Sequence, residues 1–451
     1  MAKNIWKDID KKEVFSFCDG YIKYLDNSKT ERLCEEYSKC LCEKKGFRDI
    51  KACNSLKCGD KVYFVNRDKS IALFVIGEED IESGINIIAS HIDSPRLDLK
   101  PNPLYEDMGI GLLKTHYYGG IKKYQWTTIP LSLIGVVIKE NGEKININIG
   151  EDDNDPVFTI TDLLPHLAKD QMAKKATEVV EGESLNALFG SIATDEENDS
   201  VKKALLEIIK EKYGFSEDDF VSSELELVPN VKARNVGLDM SMIGAYGQDD
   251  RVCAYTSLKA ILDIKNPKKT CMCYLADKEE IGSMGVTGTK SRFFENSIAE
   301  VIAMLKSQYN DLILRRTLSN SMCLSADVTN ANDPNYKSVC EDKNAAYLGG
   351  GLAIAKYTGA RGKSSTSDAN AEFVAKVRGV FNSNNVLWQM AELGKVDQGG
   401  GGTVAQYVAN LNVDTLDCGV PLYSMHAPFE ISSKADVYMA YKGYKAFYEA
   451  E

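Results

Sequence analysis

The chain predicts an α/β protein with an at least partly parallel sheet, interrupted by a β-rich insertion. Three observations carry this. Short apolar β-type runs alternate with helical periodicity before residue 100 and after about 234. Residues between those points change to hairpin-like runs and acidic loops. Acids and histidines gather where the apolar runs end.

Taken in order, residues 10–46 have helical spacing, with Val14, Cys18, Tyr21, Ile22 and Leu25 on one face. KVYFVN (61–66), SIALFVI (70–76) and GINIIAS (84–90) are strand-like runs bounded by Gly, Asp or Asn. In the insertion, Asn141-Gly142 joins two β-type runs as a hairpin turn does. The acidic stretches EDDNDP (151–156) and DEEND (195–199) read as solvated loops, and 200–214 as a helix. Afterwards come a turn opening a helix (247–264), a strand with a charged tip (269–285) and a helix (291–305). A strand (320–328), a helix (368–386), an approach to His426 (419–430) and a last helix (432–450) complete the pattern.

With 44% hydrophobic and 27% charged residues, the 451-residue chain has the composition of a globular protein large enough for two or three domains. A net charge of −12 argues against a nucleic-acid surface, which needs a basic stripe. No apolar run approaches the roughly 20 residues of a membrane helix, so no membrane partner is expected. The opening MAKNIWKDIDKKEV has no apolar signal core, which points to a cytoplasmic protein. Its 12 cysteines include CxC pairs at Cys40/Cys42 and Cys271/Cys273 but no CxxC, and are expected as reduced thiols.

Chemistry enters at the ends of the runs. His91 and Asp93 follow GINIIAS, Glu279 and Glu280 follow CMCYLAD, Asp327 ends MCLSA, and His426 follows VPLYSM. Asp249 and Asp250 sit in the turn GQDDR before a helix. Open α/β sheets bind ligands beyond the carboxyl ends of their strands. A mixed N/O set of this kind suits Zn²⁺, Co²⁺ or Mn²⁺. Two such ions activate water and polarise a carbonyl, and one unligated carboxylate must accept the proton. Glu279-Glu280 offers one group for metal and one as base. Singly, each feature has a plainer reading: a solvated turn, a helix cap, an Asx-turn, a structural histidine. Their recurrence at successive strand ends favours the metal.

SHIDSPRLDLKP, GQDDR, DKEEIGSMG, SADVTNANDPNY and SMHAPFEISSKAD, with YGGI (118–121) and LPHL (164–167), resemble the M18 family of metallo-aminopeptidases nearly end to end. The resemblance implies an α/β-α sandwich peptidase domain with a mixed, mostly parallel sheet over 1–100 and 235–451, interrupted by a smaller β-rich dimerisation domain over 101–234. It further implies two Zn²⁺ per subunit and a tetrahedral homododecamer built from dimers. On this reading His91 and Asp327 hold one ion, Glu280 and His426 the other, and Asp249 bridges both. Glu279 is the general base and Asp93 orients His91.

Animal aspartyl aminopeptidases of this family carry histidines where SADVTNANDPNY has none, and a further histidine where this chain has Asp170. Lys356 matches a cationic position in their substrate segment. An acidic substrate side chain then lacks charge-assisted partners, which favours neutral or broad N-terminal residues over strict Asp/Glu. His166 is a candidate for reaching a neighbouring subunit's active site or is structural, and His116 reads as structural or near an interface. Gly399–Gly402 lacks the Lys-Ser/Thr of a P-loop, so it suits close backbone approach to substrate. The competing readings are a di-metal amidase or deacylase on small N-acyl substrates, and a catalytically silent oligomeric scaffold.

Overall fold

The computed structural model describes residues 4–451. The chain forms two compact units: the first takes the residues up to Asp93, Ala233–Met425 and Phe429–Glu451, the second Ser94–Lys232 and His426–Pro428.

The first unit is organised on a nine-stranded mixed sheet. Its strands are β1 (Arg48–Asp49), β2 (Lys61–Asn66), β3 (Ser70–Val75), β4 (Ile85–His91), β5 (Thr270–Ala276), β6 (Met322–Ser325), β7 (Leu352–Ala355), β8 (Trp388–Met390) and β9 (Asp414–Gly419). Across the sheet they run β1-β2-β3-β5-β4-β6-β9-β7-β8. The four central strands β5, β4, β6 and β9 are mutually parallel, so their carboxyl ends share one edge. Both faces are covered, which is why these strands are buried at nearly every position and not at alternate ones. Leu73, Ile88, Cys273 and Leu324 enter a core shared with helices Lys11–Asn27, Gln248–Leu262 and Lys434–Tyr448. Their neighbours Phe74, Ile87, Met272 and Cys323 enter the opposite core, with helices Phe293–Leu305 and Asp311–Ser319.

The periodic stretch at 10–46 is two helices, Lys11–Asn27 and Glu31–Glu43. Capping explains the break, because Thr30 leaves helical backbone angles and its hydroxyl accepts from the Leu33 amide. Helix Asp311–Ser319 was not evident in the sequence reading; it is short, and Arg315 and Arg316 dilute its apolar stripe. A small sheet in the order Arg234–Val236, Met242–Ala245, Glu430–Ser433, Pro421–Tyr423, Thr329–Asn330 completes this unit.

The second unit is a six-stranded sheet whose pairings are all antiparallel. Its Leu131–Ile138 and Lys144–Ile149 strands pair about the turn containing Asn141 and Gly142, where Gly142 supplies the positive φ the turn needs. Helix Ser200–Tyr213 ends at Gly214 in the left-handed conformation. Among the described residues no helix is long and apolar enough to cross a membrane, and the 12 cysteines are all free thiols.

Candidate metal centre

Strand register builds the centre. In the parallel β4–β5 pair His91 lies opposite Ala276, so the chain emerging from β5 delivers Glu279 and Glu280 beside it. In the β4–β6 pair Ser325 lies opposite Ala89, and continuing that register brings Asp327 level with His91.

His91 is buried, with Nδ1 3.0 Å from the Asp93 carbonyl oxygen and 3.3 Å from its carboxylate. Engaging Nδ1 as a donor leaves the lone pair on Nε2, the form a metal-binding imidazole needs. Nε2 lies 3.2 Å from Asp249 Oδ1 and 3.8 Å from Asp327 Oδ1. Burial alone opposes an imidazolium here, but Asp249, Asp93 and Asp327 outweigh it and hold the His91 pKa well above its ordinary value, so these carboxylates favour a positive charge at Nε2, either a proton or a metal ion in its place.

Asp249 and Asp250 open helix Gln248–Leu262 with non-helical backbone angles, and the peptide between them is cis. The Asp249 amide donates to the Glu430 carboxylate at 3.1 Å. Gln248 fixes the same turn, donating to the Ile243 and Glu430 carbonyls and accepting from Tyr21 and Ser432. Glu430 was missed in the sequence reading. Its one signal there is an acid between Phe429 and Ile431, in a stretch whose strand character shows only through pairing with Met242–Ala245.

Glu279 and Glu280 form a 3₁₀ turn, both of whose amides donate to Asp93, at 3.1 and 3.2 Å. Asp249 and Glu280 bring carboxylate oxygens within 4.8 Å of each other, as do Asp249 and Asp327 around His91 Nε2. Burial, joined by repulsion from Asp250, Glu279 and Asp249, pushes the Asp327 carboxyl well above the usual carboxylate range, with His91 opposing. Asp250 is raised likewise, first by burial. This much negative charge away from water calls for a cation, and imidazole nitrogen with carboxylate oxygen is a donor set zinc accepts.

His426 occupies the turn between Pro421–Tyr423 and Glu430–Ser433 with positive φ, and its Nδ1 is 2.7 Å from the Gly120 carbonyl oxygen. His166 lies in the exposed 3₁₀ turn Pro165–Leu167. Lys356 follows β7 and pairs with Asp368 at 2.9 Å. His116 rests on its neighbour, with Nδ1 2.9 Å from the Tyr117 carbonyl oxygen.

Residues 24–448 match the family model described as aminopeptidase I zinc metalloprotease (M18). A probable M18 family aminopeptidase 1 of Clostridium acetobutylicum is 53% identical over 454 aligned positions, covering 99% of this chain and 97% of the relative. The crystal structure of an M18 aminopeptidase from Thermotoga maritima superposes with a TM-score of 0.97 at 48% identity, over 100% of both chains. The Saccharomyces cerevisiae mApe1 dodecamer shares the fold alone, with a TM-score of 0.77 at 20% identity over 97% of this chain and 96% of that one. The chain thus belongs to the M18 family of zinc metallo-aminopeptidases, and it is a hydrolase.

Proposed function

We propose that the chain is a co-catalytic di-zinc aminopeptidase releasing neutral or varied N-terminal residues from peptides. The observation that carries this reading is the convergence of His91, Asp249 and Asp327 beside the Glu279-Glu280 turn that Asp93 anchors. His91 and Asp327 hold one ion, Glu280 and His426 the other, and Asp249 faces both. The Nδ1 contact of His426 supports its part, since it leaves Nε2 as the coordinating nitrogen. Zinc, when bound, polarises the scissile carbonyl and makes water a better nucleophile at neutral pH.

The remaining steps belong to the protein. Glu279 takes the proton from the attacking water and passes it to the leaving amine. Asp93 fixes both the His91 imidazole and the backbone of the Glu279-Glu280 turn. The carboxylates of the centre receive the substrate's free α-amine, which selects N-terminal residues. We assign His166 and Lys356 to substrate binding and the 101–234 region to dimerisation. Exposed Leu163, Leu164, Leu167, Met172 and Ile192 support self-association through that region. The dodecamer of the yeast relative supports the same assembly here, a cytoplasmic tetrahedron of dimers.

The test is hydrolysis of Leu, Met, Asp and Glu anilides, free and N-acetylated, by zinc-reconstituted protein. Neutral anilides with a free amine should be cleaved, and Glu279→Gln should keep its zinc while losing about 10²–10⁴-fold in kcat. Cleavage of the acetylated substrates would make it an amidase. Retained activity in Glu279→Gln would remove Glu279 from its role.

A further inference from the structure

Just past the proposed base and ligand, three large apolar side chains face solvent within six residues: Ile281, Met284 and Val286, exposed by 45%, 57% and 56%. Single exposed hydrophobics are ordinary. These three sit on a turn that hydrogen bonds tie at both ends. Gly282 N donates to Glu279 O at 2.9 Å, Ser283 N to Lys278 O at 2.7 Å and Lys290 N to Ser283 O at 3.1 Å. From the β2–β3 hairpin, Asn66 donates to the Val286 carbonyl at 2.8 Å and Ser70 to the Thr287 carbonyl at 3.1 Å. Thr287 donates to buried Asp277 at 2.5 Å, and a methyl group on Gly288 would lie 2.3 Å from Ser283 O. A segment tied at these points holds its backbone in place while the three side chains face water.

We propose that Ile281, Met284 and Val286 form the wall against which the side chain of the substrate's N-terminal residue packs, making large neutral side chains the preferred class. The inference rests on the reading of Glu279-Glu280 as part of the reaction centre. That side chain branches from the carbon that carries the free amine and adjoins the scissile carbonyl. What contacts it must therefore lie within one side chain's length of the ligands and base. Ile281, bonded to Glu280, meets that condition by adjacency. The cations nearby are engaged at the edges: Lys278 is 3.8 Å from Asp277, and Lys290 stands 4.7 Å from the Tyr407 ring centre and 3.3 Å from the Met284 sulfur. The three side chains of this surface are themselves uncharged. Because it is already ordered, covering it costs little conformational freedom and gains the burial of apolar area.

The experiment compares kcat/KM for Leu, Met, Ala and Glu anilides in the wild-type zinc enzyme, Ile281→Ala and Met284→Ala. The Leu-to-Ala ratio should fall about 5–20-fold in each variant, the low end of discrimination by small hydrocarbon groups. Calorimetric binding of free L-leucine, which needs no turnover, should weaken in step. An unchanged ratio and unchanged leucine binding overturn the proposal. So does a shift in sedimentation with the ratio intact, which would make the wall a contact between copies. Glu279→Gln separates the two layers: its retained activity defeats the reaction-centre reading, whereas an unchanged ratio beside an inactive Glu279→Gln defeats the wall alone.

Discussion

Asp93 joins the two halves of the chemistry: one carboxylate lies 3.3 Å from His91 Nδ1 and accepts the backbone amides of Glu279 and Glu280 at 3.1 and 3.2 Å. The sequence pattern suggests only a partner for the imidazole. The structure adds that the same group fixes the turn bearing the proposed base.

Asp93→Asn should therefore cost more rate than metal. An amide has one acceptor oxygen and presents an NH₂ to groups that are themselves donors. Zinc content by elemental analysis should stay near wild type, while kcat falls by about 10–100-fold.

His91→Ala should behave oppositely, lowering bound zinc by one equivalent because its Nε2 faces both Asp249 and Asp327. Elemental analysis after dialysis against a weak chelator checks this. Full retention of zinc would remove His91 from the ligand set.

Gly419→Ala tests the support beneath Asp327. A methyl group there would lie 1.8 Å from the Asp327 carbonyl oxygen, so the backbone of the proposed ligand must move. We expect a loss of about 1–3 kcal/mol in denaturant unfolding together with weaker zinc retention.

Buried Asp417 gives a pH signature. Its carboxyl accepts from Thr403, and burial pushes its pKa up to about 6. Below the ordinary carboxylate range both folded and unfolded chains hold this proton. As pH rises toward 6 the unfolded chain releases it first, so the group's contribution declines and its full loss is reached above pH 6. Asp417→Asn should flatten that slope and stabilise the protein by about 2 kcal/mol at pH 7–8 relative to wild type. Urea midpoints at pH 4 and pH 7.5 measure it.

These outcomes indicate which parts of the molecule a one-dimensional pattern reveals. β4 was legible because Ile85, Ile87, Ile88 and Ala89 form an apolar run that closes on a histidine, His91. The acids at 249, 279 and 327 were legible because each adjoins a strand or helix boundary. Glu430, Gln248, Asn66 and Ser70 were not, because their partners lie far along the chain and register alone brings them together. Short edge strands such as β8 were lost for a related reason: three residues carry no period, and pairing with β7 alone makes Trp388–Met390 a strand.

The insertion leaves the first unit at Ser94, one peptide bond beyond Asp93, and the chain re-enters it at Ala233. Excising it would put a surgical scar against the residue that pins both His91 and the Glu279-Glu280 turn. A trimmed protein that had lost activity would report on that scar as much as on the missing piece. The second unit's contribution is better read from substitutions within it, with the covalent junction at Asp93 left intact.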